Sequence, residues 1–152
     1  MSAALPSKNV MSALFLRRGG NGVHAGLFEA LDPFATTFLK QAVALNDGES
    51  EVIASWGDAH NWLLLTTERL LWEDSGSDGS VYLRDVVGVR PAAGDGHMRS
   101  KRLLQRLEVT TADSRQHILR IEEGAPFSGL WNVLLRVAEQ NRRSKRAPEP
   151  RL

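Results

Sequence analysis

Two groups of basic residues are the side chains whose types and spacing best suggest binding chemistry. One group precedes a strand-like stretch in the second half of the chain, and the other lies near the C-terminus. Such groups can bind lipid headgroups or nucleic-acid phosphates, although most charge runs only solvate a loop or a tail. Neither group contains an aromatic residue that could stack on bases, so nucleic acid is the less favoured ligand. The candidates are Arg99, Lys101, Arg102 and Arg106, and then Arg142, Arg143, Lys145 and Arg146.

Patterns typical of catalysis or metal binding are missing from the sequence. The chain has no cysteine, its four histidines are scattered, and no Gly-x-Ser-x-Gly nucleophile motif occurs. Asp74-x-Gly76-x-Asp78-Gly79 partly resembles a calcium loop, but its third position lacks an oxygen ligand and its twelfth is Asp85 rather than glutamate. A plain β-turn is the better interpretation of this segment. We therefore expect no enzymatic activity, no cofactor and no metal ion.

Length and charge indicate a single soluble domain with a basic end. The chain has 152 residues and a formal net charge of +1. From Arg136 onward there are six basic and two acidic residues, which leaves 13 basic against 16 acidic in the preceding part. No apolar run approaches the roughly 20 residues of a membrane span. We expect a cytoplasmic protein, with a position at the inner face of the membrane as an alternative.

The first helix signal is Asp32-Pro33, a favoured N-cap followed by proline at the first helical position. The spacing of Phe34, Phe38, Ala42 and Leu45 then predicts a helix over about 33–45 with one apolar stripe. We expect this helix to pack its two phenylalanines onto the sheet that follows.

Seven short apolar or alternating stretches predict an antiparallel β-sandwich or barrel. The turn signals between them include the segment 74–80, which is rich in serine, aspartate and glycine. Near-continuous apolarity in the second stretch implies that both faces of the sheet are covered there. The predicted strands are 52–56, 62–66, 70–72, 81–83, 86–89, 107–111 and 117–121.

The last predicted element is an amphipathic helix that begins near Gly124-Ala125-Pro126. Glu122 and Glu123 are expected to interact with its positive N-terminal end. Its apolar stripe has helical spacing and consists of Phe127, Leu130, Trp131, Leu134, Val137 and Ala138.

Seven strands followed by one C-terminal helix resemble a bacterial pleckstrin-homology-like (PH-like or GRAM-like) domain. The motifs that carry the resemblance are Asp47-Gly48-Glu49-x-x-Val52, Thr66-x-x-Arg69-Leu70, Tyr82-Leu83-x-Asp85-Val86 and Ile121-Glu122-x-Gly124-x-Pro126-Phe127. The resemblance implies a mainly β (α+β) fold, a seven-stranded, partly open barrel with a C-terminal capping helix, here with an extra N-terminal helix. The resemblance covers roughly Leu45 to Arg143. Because residues 1–26 show no lasting period and 144–152 show no apolar stripe, we expect a flexible leader (1–26), the domain with its preceding helix (27–143) and a basic flexible tail (144–152).

The resemblance also implies a binding scaffold rather than an enzyme. Some relatives bind phosphoinositides through basic residues on the first two strands, but no lysine or arginine lies between residues 52 and 68 here. We expect a protein partner, with an anionic membrane surface bound by the basic groups as the alternative. A small ligand at the open barrel end is less favoured, and pairing of two copies through an exposed strand edge remains open.

Overall fold

The computed structural model describes residues 5–92 and 104–146, which form three α-helices and eight β-strands. Short 3-10 helices cover Phe28–Ala30 and Leu83–Asp85. The elements in chain order are α1 (Lys8–Arg18), β1 (Ala25–Leu27), α2 (Pro33–Ala42), β2 (Glu51–Asp58), β3 (Asn61–Thr66), β4 (Arg69–Asp74), β5 (Ser77–Tyr82), β6 (Val86–Pro91), β7 (Leu104–Thr111), β8 (Gln116–Glu122) and α3 (Ala125–Arg146).

The strands form two antiparallel sheets, so the predicted α+β class is confirmed. The five-stranded sheet has the order β1-β2-β3-β4-β5, and the three-stranded sheet has the order β6-β7-β8. All seven predicted strands are present, and β1 is an eighth that pairs with β2 through Ala25 and Ser55. Within the described part of the chain, no strand pairing joins one sheet to the other.

The main core lies between the two sheets and α3. Leu65 and Leu70 from the first sheet, Leu107 and Ile121 from the second, and Leu134 from α3 are all fully buried. Each such side chain contributes roughly 1.5–3 kcal/mol through removal of its apolar surface from water. The apolar stripe predicted for the last helix is confirmed in this core, except that Trp131 is only partly buried.

The opposite face of the five-stranded sheet is covered by α2, as expected from the apolarity of β3. Leu39 and Val43 pack against Ala54 and Leu64 in a second apolar cluster. The helix begins as predicted, with the Asp32 carboxylate accepting a hydrogen bond from the Phe34 N–H at 2.9 Å.

The predicted stripe of α2 is only partly correct. Ala35 and Leu39 face the sheet, and Phe38 packs there as predicted, with its ring centre 5.1 Å from that of Trp56, whereas Phe34 is 69% exposed. Ala35 and Leu39 have the same helical spacing in the sequence as Phe34 and Phe38, and the direction of chain entry at the helix start decides which residues face the sheet.

The prediction that residues 1–26 form a flexible leader is wrong for the described part of that segment. Helix α1 is capped by the Ser7 hydroxyl, and Met11 and Phe15 are fully buried in the main core. The contact with α3 is close, because a Cβ atom on Gly129 would lie 2.5 Å from the Phe15 ring. Apolar residues occur on all sides of α1, so the sequence shows no stripe, and packing on α3 determines the buried face.

Glu122 holds the segment after α1 in place. Its carboxylate accepts hydrogen bonds from the backbone N–H groups of Val23 and His24, each at 2.9 Å. The interaction that we expected between Glu122 and the N-terminus of α3 is therefore not the main role of this side chain. The Glu122 carboxylate instead satisfies two backbone donors that lie 99 and 98 residues earlier in the sequence.

The last helix extends further than predicted. The tail was expected from residue 144, but α3 continues to Arg146, and the rest of the tail lies outside the described residues. The Asn141 amide fixes the helix end by donating to the carbonyl groups of Leu83 and Val86, each at 2.7 Å. None of the described helices is long and apolar enough to cross a membrane.

Candidate binding cleft

A cleft of about 510 Å³ lies between the free edge of β5 and the hairpin that joins β7 to β8. Its size falls in the range of about 300–1,000 Å³ that is usual for ligand sites. Its lining mixes hydroxyl, carboxylate, cationic and apolar groups. The lining residues are Ser80, Val81, Tyr82, Asp85, Thr111, Ala112, Asp113, Arg115 and His117.

The first wall of the cleft is β5, whose register is set by a two-residue turn. Ser75 and Gly76 both have positive φ angles, 51° and 87°. A two-residue hairpin turn needs positive φ at both residues to match the right-handed twist of its strands. Asp74 and Ser77 therefore flank the turn as a hydrogen-bonded pair, and bonded pairs recur at every second residue of the ladder. The Leu83 N–H donates to the Glu68 carbonyl at 2.8 Å, so the alternation of bonded pairs continues to this residue.

This alternation determines which backbone groups of β5 are available. Gly79 and Val81 direct their N–H and C=O groups toward β4, whereas Asp78, Ser80 and Tyr82 direct theirs away from it. Since β5 ends the order of its sheet, no other described strand pairs with these outward groups. The edge of β5 is thus an unpaired strand template.

The second wall is the turn between β7 and β8, and its polar groups are already used within the turn. The Asp113 carboxylate accepts hydrogen bonds from the Thr111 hydroxyl and from the Arg115 N–H. The Thr111 hydroxyl first, and then the Arg115 N–H, hold the pKa of Asp113 below its ordinary value. Ser114 has a φ angle of 67°, which completes the turn. These bonds make the wall a fixed boundary rather than a reactive one.

One lining residue, His117, packs on an aromatic ring behind the cleft. The His117 ring packs against the Trp72 indole with ring centres 5.8 Å apart. A Cβ atom on Gly79 would lie 2.5 Å from the same indole, so this glycine allows β5 to approach Trp72. The histidine therefore serves as a packing surface beside the strand edge.

One end of the cleft carries a carboxylate without a partner. Asp85 belongs to the 3-10 helix after β5, and its carbonyl accepts a hydrogen bond from the Ala112 N–H at 2.8 Å. Its exposed side chain forms no hydrogen bond or ion pair with any described residue. Nearby, the Arg84 guanidinium lies 4.8 Å from the centre of the Tyr82 ring, on which it stacks.

A second polar site, which we call the Glu49 cluster, consists of Glu49, Thr66 and Arg69. The Glu49 side chain is fully buried, and its carboxylate accepts two hydrogen bonds from the Arg69 guanidinium, at 2.7 and 2.9 Å. It also accepts bonds from the Thr66 hydroxyl and the Asn46 N–H. The Arg69 Nη2 group also donates to the Ala44 carbonyl at 2.9 Å.

The Glu49 cluster is a closed structural unit. Burial by itself would raise the pKa of Glu49, but the bonds from Arg69, Thr66 and Asn46 and the Arg69 charge outweigh burial and lower this pKa to about 2. The bonds to Glu49 likewise raise the pKa of Arg69. Each oxygen of the Glu49 carboxylate accepts two hydrogen bonds, so the carboxylate has no acceptor position left for a ligand.

The predicted basic residues occupy several places. Arg99, Lys101 and Arg102 lie outside the described residues, as do the side chains of Lys145 and Arg146 at the end of α3. Arg106 lies on β7, directly opposite Arg120 of β8.

Two of the basic side chains on α3 already have partners. Arg142 donates to the Val87 carbonyl at 2.6 Å, and Arg143 pairs with Glu139 at 2.6 Å. In the described part of the chain, no group of three or more histidine or acidic residues is arranged to hold a metal ion. The cleft is therefore the site that remains to be explained.

Comparison with known proteins identifies no relative. No family model, no curated protein and no solved structure matches the chain.

The cleft was not predicted from the sequence. Segment 74–80 was interpreted as a turn, whereas the structure places only Ser75 and Gly76 in the turn and begins β5 at Ser77. The polar composition of Ser77, Asp78 and Ser80 is typical of an edge strand, which was the available signal. Asp85 occurred only as the last position of the calcium-like pattern and within the Tyr82–Val86 motif, neither of which indicates a cleft, because only the tertiary fold brings the β7–β8 turn to β5.

Proposed function

We propose that this chain is a non-catalytic module that binds a protein partner at the edge of β5. The observation that carries the proposal is the set of unpaired backbone groups at Ser80 and Tyr82 beside the cleft. An exposed strand edge is a template on which another chain adds a strand through main-chain hydrogen bonds. The adjacent cleft supplies the room and the side chains that select among partners.

We also propose that the domain is PH-like. The order of β2–β5, then β6–β8, then α3 is the order of that superfold. Two motifs of the resemblance, one around Glu49 and one from Thr66 to Arg69, meet in the Glu49 cluster, which supports interpreting them as one structural unit. A scaffold of this kind supports binding rather than catalysis.

The groups that line the cleft support binding as well. Asp113 is occupied by Thr111 and Arg115, and His117 packs on Trp72. General acid–base work needs an ionisable group within hydrogen-bond reach of a substrate proton and oriented by a partner. The arrangement here fixes the walls of the cleft instead.

Two substitutions at one position test the proposal. Ser80→Pro removes the outward N–H, and Ser80→Ala keeps it while removing the same hydroxyl. We expect pull-downs from an extract of the native host, quantified by mass spectrometry, to retain a partner on the wild type and on Ser80→Ala but to lose it on Ser80→Pro. The same set of retained proteins on all three baits would contradict docking at this edge.

The membrane alternative is tested with the full chain, because removal of residues from 141 onward would also remove the Asn141 bonds to Leu83 and Val86. If the chain binds a protein rather than a membrane, we expect no salt-sensitive sedimentation with anionic liposomes. Sedimentation that is released by salt would favour the membrane alternative, and its loss in Arg142→Gln together with Arg143→Gln would assign the binding to these two residues.

A further inference from the structure

We propose that the partner enters the cleft as an extended peptide segment that adds a sixth strand to β5, and that Asp85 binds a lysine or arginine side chain of this segment. The inference rests on the proposed function and specifies the chemistry of the partner. Three observations support it: the direction of the β5 backbone groups, the apolar residues of the cleft lining and the distribution of charge.

The backbone of β5 requires an extended occupant. Its outward groups belong to Asp78, Ser80 and Tyr82, which recur at every second residue. A strand advances about 6.8 Å over two residues, so only a chain with the same repeat can pair with all three positions. A helix cannot satisfy these groups, because its own backbone donors and acceptors are used internally.

The apolar part of the cleft lining favours a small apolar residue in the segment. It consists of Val81, which is 9% exposed, and Ala112, which lies in the exposed β7–β8 turn. Side chains of an added strand alternate between the two faces of the sheet. One face of the segment therefore meets Val81, and the other face follows the exposed side of Ser80 and Tyr82.

The charge around the edge favours a basic segment. Asp85, at one end of the cleft, has no side-chain partner among the described residues, and Asp78, two residues before Ser80 on β5, lies directly opposite Glu73. Like charges at opposite positions destabilise a strand pair, so a cation there is favourable. Of the described cations beside the cleft, Arg84 stacks on Tyr82, and the Arg115 Nε lies 3.5 Å from a carboxylate oxygen of Asp113. The part of the chain before Arg136 also has more acidic than basic residues, 16 against 13.

The experiment uses random peptides of about eight residues displayed on phage and selected on the full chain. We expect the selected peptides to carry lysine or arginine at one fixed position. The strongest binder is then synthesised in two versions, one with the cation and one with methionine in its place. Both peptides are titrated into the wild type, Ser80→Ala, Ser80→Pro and Asp85→Asn. We expect Ser80→Pro to weaken binding by about tenfold or more, while Ser80→Ala has little effect.

A double-mutant cycle isolates the contact with Asp85. Asp85→Asn should weaken binding of the cationic peptide by about tenfold and leave binding of its methionine version nearly unchanged. An equal effect of Asp85→Asn on both peptides would overturn the role of Asp85 and leave the edge proposal standing. Equal binding to Ser80→Pro and Ser80→Ala would overturn both the added strand and the proposed function.

Two further outcomes separate the inference from the proposed function. If no peptide is selected, the extended-segment inference fails, and the pull-downs decide whether a folded partner uses the same edge. If light scattering finds a dimer of the wild type and a monomer of Ser80→Pro, the occupant is a second copy of this chain, and the inference is overturned.

Discussion

The Glu49 cluster and the edge of β5 are two polar regions of one sheet, and they differ in how many of their hydrogen-bonding groups have partners. At the cluster, both oxygens of the buried carboxylate are occupied by bonds from Arg69, Thr66 and the Asn46 backbone. At the edge, no described strand pairs with the outward backbone groups of Ser80 and Tyr82. Polar groups whose hydrogen bonds are made within the protein stabilise the fold, whereas polar groups without such bonds are available to a partner.

The largest effect is expected from Arg69→Met, which leaves the Glu49 carboxylate buried without its counter-ion. Loss of one partner of a buried pair costs roughly 3–5 kcal/mol of the free energy of unfolding. Chemical denaturation measures this cost. The matched control is Arg143→Met at the exposed pair with Glu139, which should cost less than about 1 kcal/mol. Equal costs at the two pairs would contradict the distinction between a closed cluster and solvated charge.

The second prediction concerns the pH dependence of stability. The pKa of Glu49 is lowered from 4.5 to about 2, so the unfolded state binds a proton that the folded state does not bind between these values. The contribution is fully present above about pH 4.5 and is lost as the pH falls toward 2, and it amounts to roughly 3 kcal/mol.

Unfolding measured over this pH range should therefore have a steeper acid dependence for the wild type than for Glu49→Gln. Asp113→Asn is the control, since that carboxylate is exposed and should leave most of the slope unchanged. If the free energy of unfolding has the same pH dependence in the wild type and in Glu49→Gln, the fold does not lower the pKa of Glu49.

The third prediction concerns the approach of β5 to Trp72. Gly79→Ala places a Cβ atom 2.5 Å from the indole, which forces the strand or the ring to move. Overpacking of this kind costs roughly 1–3 kcal/mol. The neighbouring Ser80→Ala, on the outer side of the strand, should change stability by less than about 0.5 kcal/mol. A neutral Gly79→Ala would mean that β5 is not held against Trp72.

The smallest expected effect on stability is that of Ser80→Pro. The N–H that it removes points away from β4, and proline is tolerated on an edge strand with that orientation. We expect a loss of less than about 1 kcal/mol, within the net value of one hydrogen bond. Val81→Pro, one residue further, removes a ladder bond and should destabilise the protein much more. Equal losses for the two variants would contradict the alternation deduced for β5.

Local patterns account for most elements of the fold and for little of the site. Alternation and turn residues predicted seven strands, and Asp32-Pro33 predicted the start of α2, because these features depend on neighbours in the sequence. Helix α1 was missed since its burial depends on a contact between Phe15 and Gly129, more than a hundred residues apart. The same holds for Glu122, whose backbone partners lie in the segment before β1.

The candidate site illustrates the same limit. Its walls come from β5, from Asp85 and from the β7–β8 turn, and no short motif joins them. The basic residues that stood out in the sequence did so by composition, but Arg142 and Arg143 prove to have partners in the fold. Unpaired backbone groups, which carry the proposal, become visible only when the strand order is known.

Amide hydrogen exchange in the free, monomeric protein tests most directly the claim that β5 has an open edge. We expect slow exchange at Val81, whose N–H faces β4, and at Leu83, whose N–H donates to the Glu68 carbonyl. We expect fast exchange at Ser80 and Tyr82, whose N–H groups point away from β4. This alternation should disappear when a partner segment binds. Protection of Ser80 and Tyr82 equal to that of Val81 in the free monomer would show that the edge is already paired, and would contradict the account.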